Sequence, residues 1–241
     1  MRSALTICGV AIVVIVPLIA AAWLPPEFPL LLRQVLLCVW GVGAIVGAER
    51  LFFAGTLHEG IRALGFTRAR WTAVVVAALV SIPMWAFLPL FAWANSAHVS
   101  LHSNWVSLLV GVVLVNGITE EVIHRGFVFR HFRSGRSFIT AATFSATVFA
   151  AQHLYILLTM GWTIGLASVL LAFLLSYPLA FVFERGGNSI IGPAILHTSS
   201  NAPVMILDLP DELMSGALLP HMAVVLVSLY LVFASRKAQG Q

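Results

Sequence analysis

Charge is what this sequence has least of. Of its 241 residues only 9% are Asp, Glu, Lys or Arg, whereas soluble globular domains carry about 25%. So few charges cannot cover a surface that faces water. With 60% hydrophobic residues and a mean hydropathy of +1.00, an ordinary soluble domain is excluded. Cysteine is nearly absent: Cys8 and Cys38 both sit inside apolar runs, with no CxxC or Cys/His spacing. They read as packing residues, which argues against a disulfide framework and a zinc-thiolate site. The alternation of polar and apolar residues that marks membrane β-strands is missing. There is no soluble domain, low-complexity segment or long linker, and no internal repeat of the kind that builds many transporters. The basic residues are scattered among loops rather than gathered into an aromatic-interleaved stripe, so nucleic acid is not an expected partner.

What the chain does have is long apolar runs, each near the ~17 to 25 residues a membrane-crossing helix needs. They fall at about 4–24, 30–48, 71–94, 104–126, 138–160, 163–183, 188–207 and 216–234. The expectation is an all-α polytopic membrane protein of about eight transmembrane helices, a single integral domain over 1–241. The first run, about 20 residues, exceeds the ~7 to 15 of a signal-peptide core and is read as a retained helix. Basic residues favour the cytoplasmic ends of spans. Eight crossings put Arg2, then Arg50, Arg62, Arg68 and Arg70, then Arg130, Arg133 and Arg136, then Arg185, then Arg236 and Lys237 on that side, with both termini cytoplasmic. Of the 13 basic residues only Arg33 falls on the other face and only Arg125 in or near a span. Glu27 and the acidic turn DLPDEL mark the opposite face. The basic loops would lie against anionic membrane lipid. Between spans, 48–70 carries Leu51, Phe52, Leu57, Ile61 and Leu64 at roughly helical spacing, which suits an interfacial amphipathic helix.

Against this background a few polar residues stand out. An ionisable group near mid-bilayer costs ~2.5 to 3.5 kcal/mol on insertion scales, so each one needs a reason. The fourth run supplies Glu120, Glu121, His124 and Arg125, the fifth His153, and the seventh His197 and Asn201. At ~1.5 Å per residue, Glu120 lies ~15 Å and His197 ~18 Å from the basic end of its helix. His153 reaches a similar depth if SGRSF lies at the interface. Glu121 and Arg125 are four apart, with the acid first, the favoured order for an ion pair. Glu120 and His124 share that spacing on a different face, which leaves one carboxylate held as an ion pair and its neighbour free for chemistry. Phe149, one turn before His153, is placed to wall the site.

A glutamate, two histidines and an amide converging in a site with little water are suited to hydrolysis. The carboxylate takes a proton from water, an imidazole positions that water or protonates the leaving amine, and the amide donates to the oxyanion. Two histidines and a glutamate would alternatively hold zinc with an open position for water, although no HExxH is present. His58, His98, His102, His131 and His221 fall at loops or span ends and read as solvated or interfacial. His124 is on the active helix without an assigned role.

EEVIHRGFVF fits EExxxRxxx[FY], FAAQH (149–153) fits FxxxH and HTSSN (197–201) fits HxxxN, in that order and in separate spans. Together they resemble the CPBP family of intramembrane proteases, which includes the type II CaaX prenyl endopeptidases and bacterial relatives named for abortive infection or bacteriocin immunity. The resemblance covers about residues 100–205, the expected catalytic core. It implies a CaaX-endopeptidase-like helical bundle of eight spans around a water-filled, cytoplasm-facing catalytic cavity. It also implies catalytic residues Glu120, Glu121, His153, His197 and Asn201. Glu120 would activate water, His153 would help orient it, and His197 and Asn201 would stabilise the oxyanion. Arg125 and Phe149 would support them, and Phe129 would pack. No cofactor is expected; zinc on His153, His197 and Glu120 is the alternative. The expected substrate is a membrane-associated, hydrophobic or lipidated peptide, in a bacterial or archaeal cytoplasmic membrane. Two other functions compete: a non-catalytic immunity or peptide-binding protein, and a proton-linked transporter, to which buried Glu and His are also suited. Intact motif residues favour the enzyme over the first, and the clustering of ionisable groups at one site favours it over the second.

Overall fold

Where no water reaches the backbone, each N–H and C=O must find its partner within the chain, and an apolar run does so most simply as a helix. The computed structural model describes residues 4–25 and 27–234, so Arg2, Arg236 and Lys237 of the charge alternation lie outside the described residues. The helices are α1 (Ala4–Ala20), α2 (Leu30–Phe52), the short α3 (Leu57–Ala63), α4 (Trp71–Ala94), α5 (Trp105–Arg133), α6 (Phe138–Gln152), α7 (Gly161–Arg185), α8 (Ile191–Ile206) and α9 (Asp211–Tyr230). The one sheet among the described residues is a two-residue antiparallel pairing, Ser100 with Asp208 and Leu101 with Leu207, which ties the loop before α5 to the end of α8.

Six helical stretches are long and apolar enough to cross a membrane: Leu30–Phe52, Trp71–Ala94, Trp105–Arg133, Phe138–Thr159, Gly161–Arg185 and Asp211–Ala234. The count of eight expected from the apolar runs is therefore not reached by length and composition. The remaining two runs form shorter helices. α1 has 17 residues and α8 has 16, about 24 to 26 Å at the helical rise, against a hydrocarbon core of ~30 Å. α1 stops in a 3₁₀ turn at Ala21–Trp23, and α8 passes directly into the small strand Leu207–Asp208.

The expected amphipathic helix over 48–70 divides in two. Its first part is the end of α2, and its second is α3, which a capping box starts: Glu59 N–H donates to the Thr56 hydroxyl at 3.2 Å and Thr56 N–H to the Glu59 carboxylate at 2.8 Å. Leu64 is fully buried rather than turned to lipid.

Ion pairs fasten the basic end of the bundle. Glu49, buried near the end of α2, holds Arg130 at 2.7 Å and His131 at 2.8 Å. Arg133 grips both oxygens of Glu184 at 3.0 Å, joining the ends of α5 and α7. His131 is thus a paired, largely buried residue, its ring 4.0 Å from that of Phe53, and not the solvated loop histidine its position suggested. His221 is also buried, and its Nε2 lies 3.3 Å from the Ser200 carbonyl. The span boundaries explain both errors: α2 and α5 run past Ala48 and Gly126, and α9 begins at Asp211, so these histidines lie inside helices.

α5 is the central helix, packed against α2, α6 and α8. Two of its glycines permit close approach. A Cβ on Gly126 would collide with the Leu64 carbonyl, and one on Gly117 with the Thr198 hydroxyl. A backbone carbonyl cannot swing aside as a flexible side chain can, and forcing extra volume into a packed interior costs ~1 to 3 kcal/mol. Gly126→Ala should therefore lower the thermal unfolding midpoint of the detergent-solubilised protein. Gly43→Ala, with nothing within 4 Å of the added methyl, should leave it unchanged or raise it. Equal midpoints for the two variants would contradict the close seat of Gly126 on Leu64.

Candidate active site

Most of the candidate site residues hang from the middle of α5, and the backbone there is unusual. Val112–Glu120 and Val122–Phe129 are π-helical, so each N–H reaches one residue further back than in an α-helix. Such segments are rare, normally a single turn, and frequent at functional sites. The two stretches meet at Glu121, so the paired glutamates sit at the break between them.

The two carboxylates are held differently. Glu121 Oε1 accepts from Arg125 Nη1 at 2.9 Å and from His197 Nδ1 at 2.7 Å, and all three side chains are buried. Arg125 continues to the Ser176 hydroxyl at 3.2 Å and lies over the Phe149 ring at 4.8 Å, a cation–π contact that gains strength away from water. The expected ion pair is present, and Glu121 also anchors His197.

Glu120 is held through a residue the sequence reading did not single out. Gln152, at the end of α6, donates to Glu120 Oε1 at 2.8 Å, while its carbonyl oxygen lies 2.8 Å from His124 Nε2. Only one amide orientation serves both neighbours: NH₂ toward the carboxylate, oxygen toward the histidine. Glu120 and His124 are therefore linked through Gln152 and not by the direct four-residue pairing expected from α-helical spacing. Glu120 Oε2 has no hydrogen bond and faces His197 Nε2 at 3.5 Å.

Phe149 lies against all three histidines of this region. Its ring lies 4.6 Å from His124, 4.7 Å from His153 and 5.5 Å from His197. His153 directs Nδ1 to the Phe149 carbonyl at 2.8 Å, which leaves Nε2 without a protein partner among the described residues. α6 starts at Phe138 with Ser137 as its cap, so SGRS precedes the helix and Phe138 belongs to it. Asn201 is not turned to either glutamate: its amide donates to the His197 carbonyl one turn back, at 3.3 Å. Phe129 packs against Phe138 and Phe183. The structure thus joins Glu120, Glu121, Arg125, Phe149 and His197 into one cluster with His153 at its edge, while Asn201 is bonded to the backbone of α8.

The zinc alternative named His153, His197 and Glu120. One nitrogen of each histidine is taken by a protein acceptor, and among the described residues no group of three or more His, Cys, Asp or Glu side chains is arranged to hold a metal ion.

Two of the cavities among the described residues adjoin the middle of α5. The larger, about 700 Å³, is lined by apolar and hydroxyl residues of Gly65–Thr67, α5 and α8, among them Val113, Ile118, Ile195 and Thr198, and by none of the cluster. The smaller, about 290 Å³, holds Glu120 and Gln152 on its wall, and Leu18, Arg33, Gln34, Asn116 and Tyr155 line the rest. It runs from the middle of α5 toward the first turn of α2. Arg33 and Arg50 sit on one continuous helix, 17 residues and so about 26 Å apart. The Glu120 cavity and the basic loops therefore lie at opposite ends of the bundle, and the expected pairing of cytoplasmic basic loops with a cytoplasm-facing cavity does not hold together.

A helical membrane protein with a carboxylate, two imidazoles and a buried ion pair at mid-helix has the parts of an intramembrane hydrolase. Residues 102–203 match a family model described as type II CAAX prenyl endopeptidase Rce1-like. That segment carries all three motifs, so over it the chain is similar to the CAAX endopeptidases of the CPBP family. No curated protein and no solved structure matches the chain.

Breaking a buried ion pair by removing one partner costs ~3 to 5 kcal/mol. Glu121→Gln and Arg125→Gln should each lower folded yield and unfolding temperature, and the double variant should lose less than the sum of the singles. Additive losses would contradict the pairing. Gln152→Met, similar in length, should cut turnover about 10- to 100-fold by leaving buried polar groups unpaired, ~1 to 3 kcal/mol. Turnover unchanged by that substitution would show that Gln152 does not hold Glu120 for the reaction.

Proposed function

We propose that the chain is an intramembrane endopeptidase that hydrolyses a peptide bond of a membrane-associated, hydrophobic or lipidated peptide, with Glu120 as the general base. The observation that carries this reading is the asymmetry of Glu120: Oε1 is fixed by Gln152, while the unbonded Oε2 stands 3.5 Å from His197 Nε2 beside a cavity. Water bound between Oε2 and the imidazole gives a proton to Glu120 as its oxygen attacks the peptide carbonyl. The C–O bond forms, the oxyanion is stabilised by His197 carrying a proton on both ring nitrogens, with Glu121 as its counterion, and by Asn201 after its amide turns from its own helix, and the C–N bond then breaks. Glu120 returns the proton to the leaving amine. Glu121 holds the His197 ring through Nδ1, the arrangement by which a carboxylate sets the working nitrogen of a histidine. His153, with Nε2 free, helps to orient the water.

In the membrane, α1 and α8 complete the bundle as the seventh and eighth crossings, both short. Basic loops face the cytoplasm by the usual charge bias, which places both chain ends there and the Glu120 cavity at the other face. A bacterial or archaeal cytoplasmic membrane is the proposed location. No metal takes part in this mechanism.

General base catalysis contributes ~10² to 10⁴ in rate. Glu120→Gln should lose that factor in cleavage of a membrane-inserted peptide, with products mapped by mass spectrometry and rates expressed per folded protein. Activity should persist through chelation and exhaustive dialysis. Normal cleavage by Glu120→Gln would sink the mechanism, and stoichiometric zinc whose removal and return switches activity would replace it with a metal-dependent one.

A further inference from the structure

Arg33 is the one described Lys or Arg that lies at the cavity end of the bundle. Arg50, Arg62, Arg68, Arg70, Arg130, Arg133, Arg136 and Arg185 sit at the other end, and Arg125 is locked to Glu121. Its position is half-buried, in the first turn of α2, on the wall of the cavity that also holds Glu120. No side-chain hydrogen bond or ion pair engages it among the described residues, although Arg125, Arg130 and Arg133 all have acidic partners. The acidic residues of this end, Glu27, Asp208, Asp211 and Glu212, are exposed and leave it unpaired. Gln34 lies beside it on the same wall, pressed so closely to α5 that a Cβ on Gly111 would meet its side chain at 2.8 Å.

A guanidinium that is partly desolvated and unpaired is costly to keep, and its planar fork matches a carboxylate better than any other group in a peptide. The α2 N-terminus adds partial positive charge at the same place. The 290 Å³ cavity is at the small end of the range for ligand pockets, which suits a few residues of extended peptide rather than a folded segment. Its polar wall of Arg33, Gln34, Asn116, Gln152 and Tyr155 contrasts with the apolar 700 Å³ cleft on the far side of α5.

We propose that Arg33 is a specificity residue that binds a carboxylate of the substrate, and that peptides reach Glu120 from the Arg33 end of the bundle, opposite the basic loops. This rests on the protease reading, but it concerns binding and is tested apart from cleavage. The carboxylate is either a chain end or an Asp or Glu side chain.

The binding probe is a fluorescent apolar tetrapeptide in four forms: free acid, C-terminal amide, and amides with one internal Asp or Asn. Each is titrated against full-length Glu120→Gln protein in detergent, with and without Arg33→Gln or Arg33→Lys. The carboxylate-bearing form should bind about 10- to 100-fold more tightly than its neutral partner, the size of a hydrogen bond to a charged group. Arg33→Gln should abolish that difference and Arg33→Lys restore part of it. A gain for the free acid assigns the chain end, and a gain for the Asp peptide assigns the side chain. Equal binding of all four forms, or an equal loss for all four in Arg33→Gln, would overturn the proposal and leave Arg33 as a lipid-headgroup anchor.

The direction of approach is read with single cysteines in a protein carrying Cys8→Ala and Cys38→Ala, in sealed vesicles. Gln34→Cys and Ser134→Cys should react with an impermeant thiol reagent from opposite sides, and reaction from one side would overturn it. If acid-selective binding is found and no peptide is cut by the wild-type protein, the protease reading fails while the Arg33 subsite stands.

Discussion

The buried pair of Glu121 and Arg125 is the interaction on which the rest of the site depends. Neither charge has water around it, so each needs the other. Having committed one oxygen to Arg125, Glu121 uses the same atom to hold His197. Arg125 in turn reaches Ser176 of α7 and lies over Phe149 of α6. One ion pair thereby links α5, α6, α7 and α8 where the chemistry is proposed to occur. Its contribution to stability is bounded by the desolvation of both ions; its contribution to geometry comes from giving the histidine one orientation.

The neighbouring glutamate shows why the pair is asymmetric. Glu120 pairs with no Arg or Lys among the described residues and is steadied by a neutral amide, which fixes one oxygen without neutralising the charge. A salt bridge in that place would quench the basicity that hydrolysis requires. The π-helical backbone of α5 places these two adjacent carboxylates in different environments, one facing Arg125 and His197, the other facing Gln152 and a cavity.

Much of this was legible in the sequence because the membrane makes charge conspicuous. The limits of α4 follow the apolar run 71–94 to the residue, and the Glu121–Arg125 pair follows from four-residue spacing in a run that tolerates few ions. Gln152 and Ser176 were not legible. A neutral amide or hydroxyl is far cheaper to bury than an ion, so neither stands out, although Gln152 lies inside the FAAQH motif directly before His153. Glu49 was missed because the run 30–48 stops just short of it, while helical hydrogen bonding continues to Phe52. The end of the bundle at which the cavity lies was beyond reach, because it depends on how α1 and α2 lean on α5, and no local spacing encodes that.

The glycine contacts of α5 carry a consequence for motion. Gly126 seats the helix on the Leu64 carbonyl and Gly117 seats it on the Thr198 hydroxyl, so α5 has little room to rotate or slide. α2 is joined to α5 by ion pairs at one end, where Glu49 holds Arg130 and His131, and by side-chain packing at the other, where Gln34 meets Gly111. Its other end, with the neighbouring turn of α1, forms the outer wall of the Glu120 cavity and supplies none of the proposed catalytic side chains. Widening that cavity therefore means parting the start of α2 from α5, at the end where packing rather than an ion pair holds them.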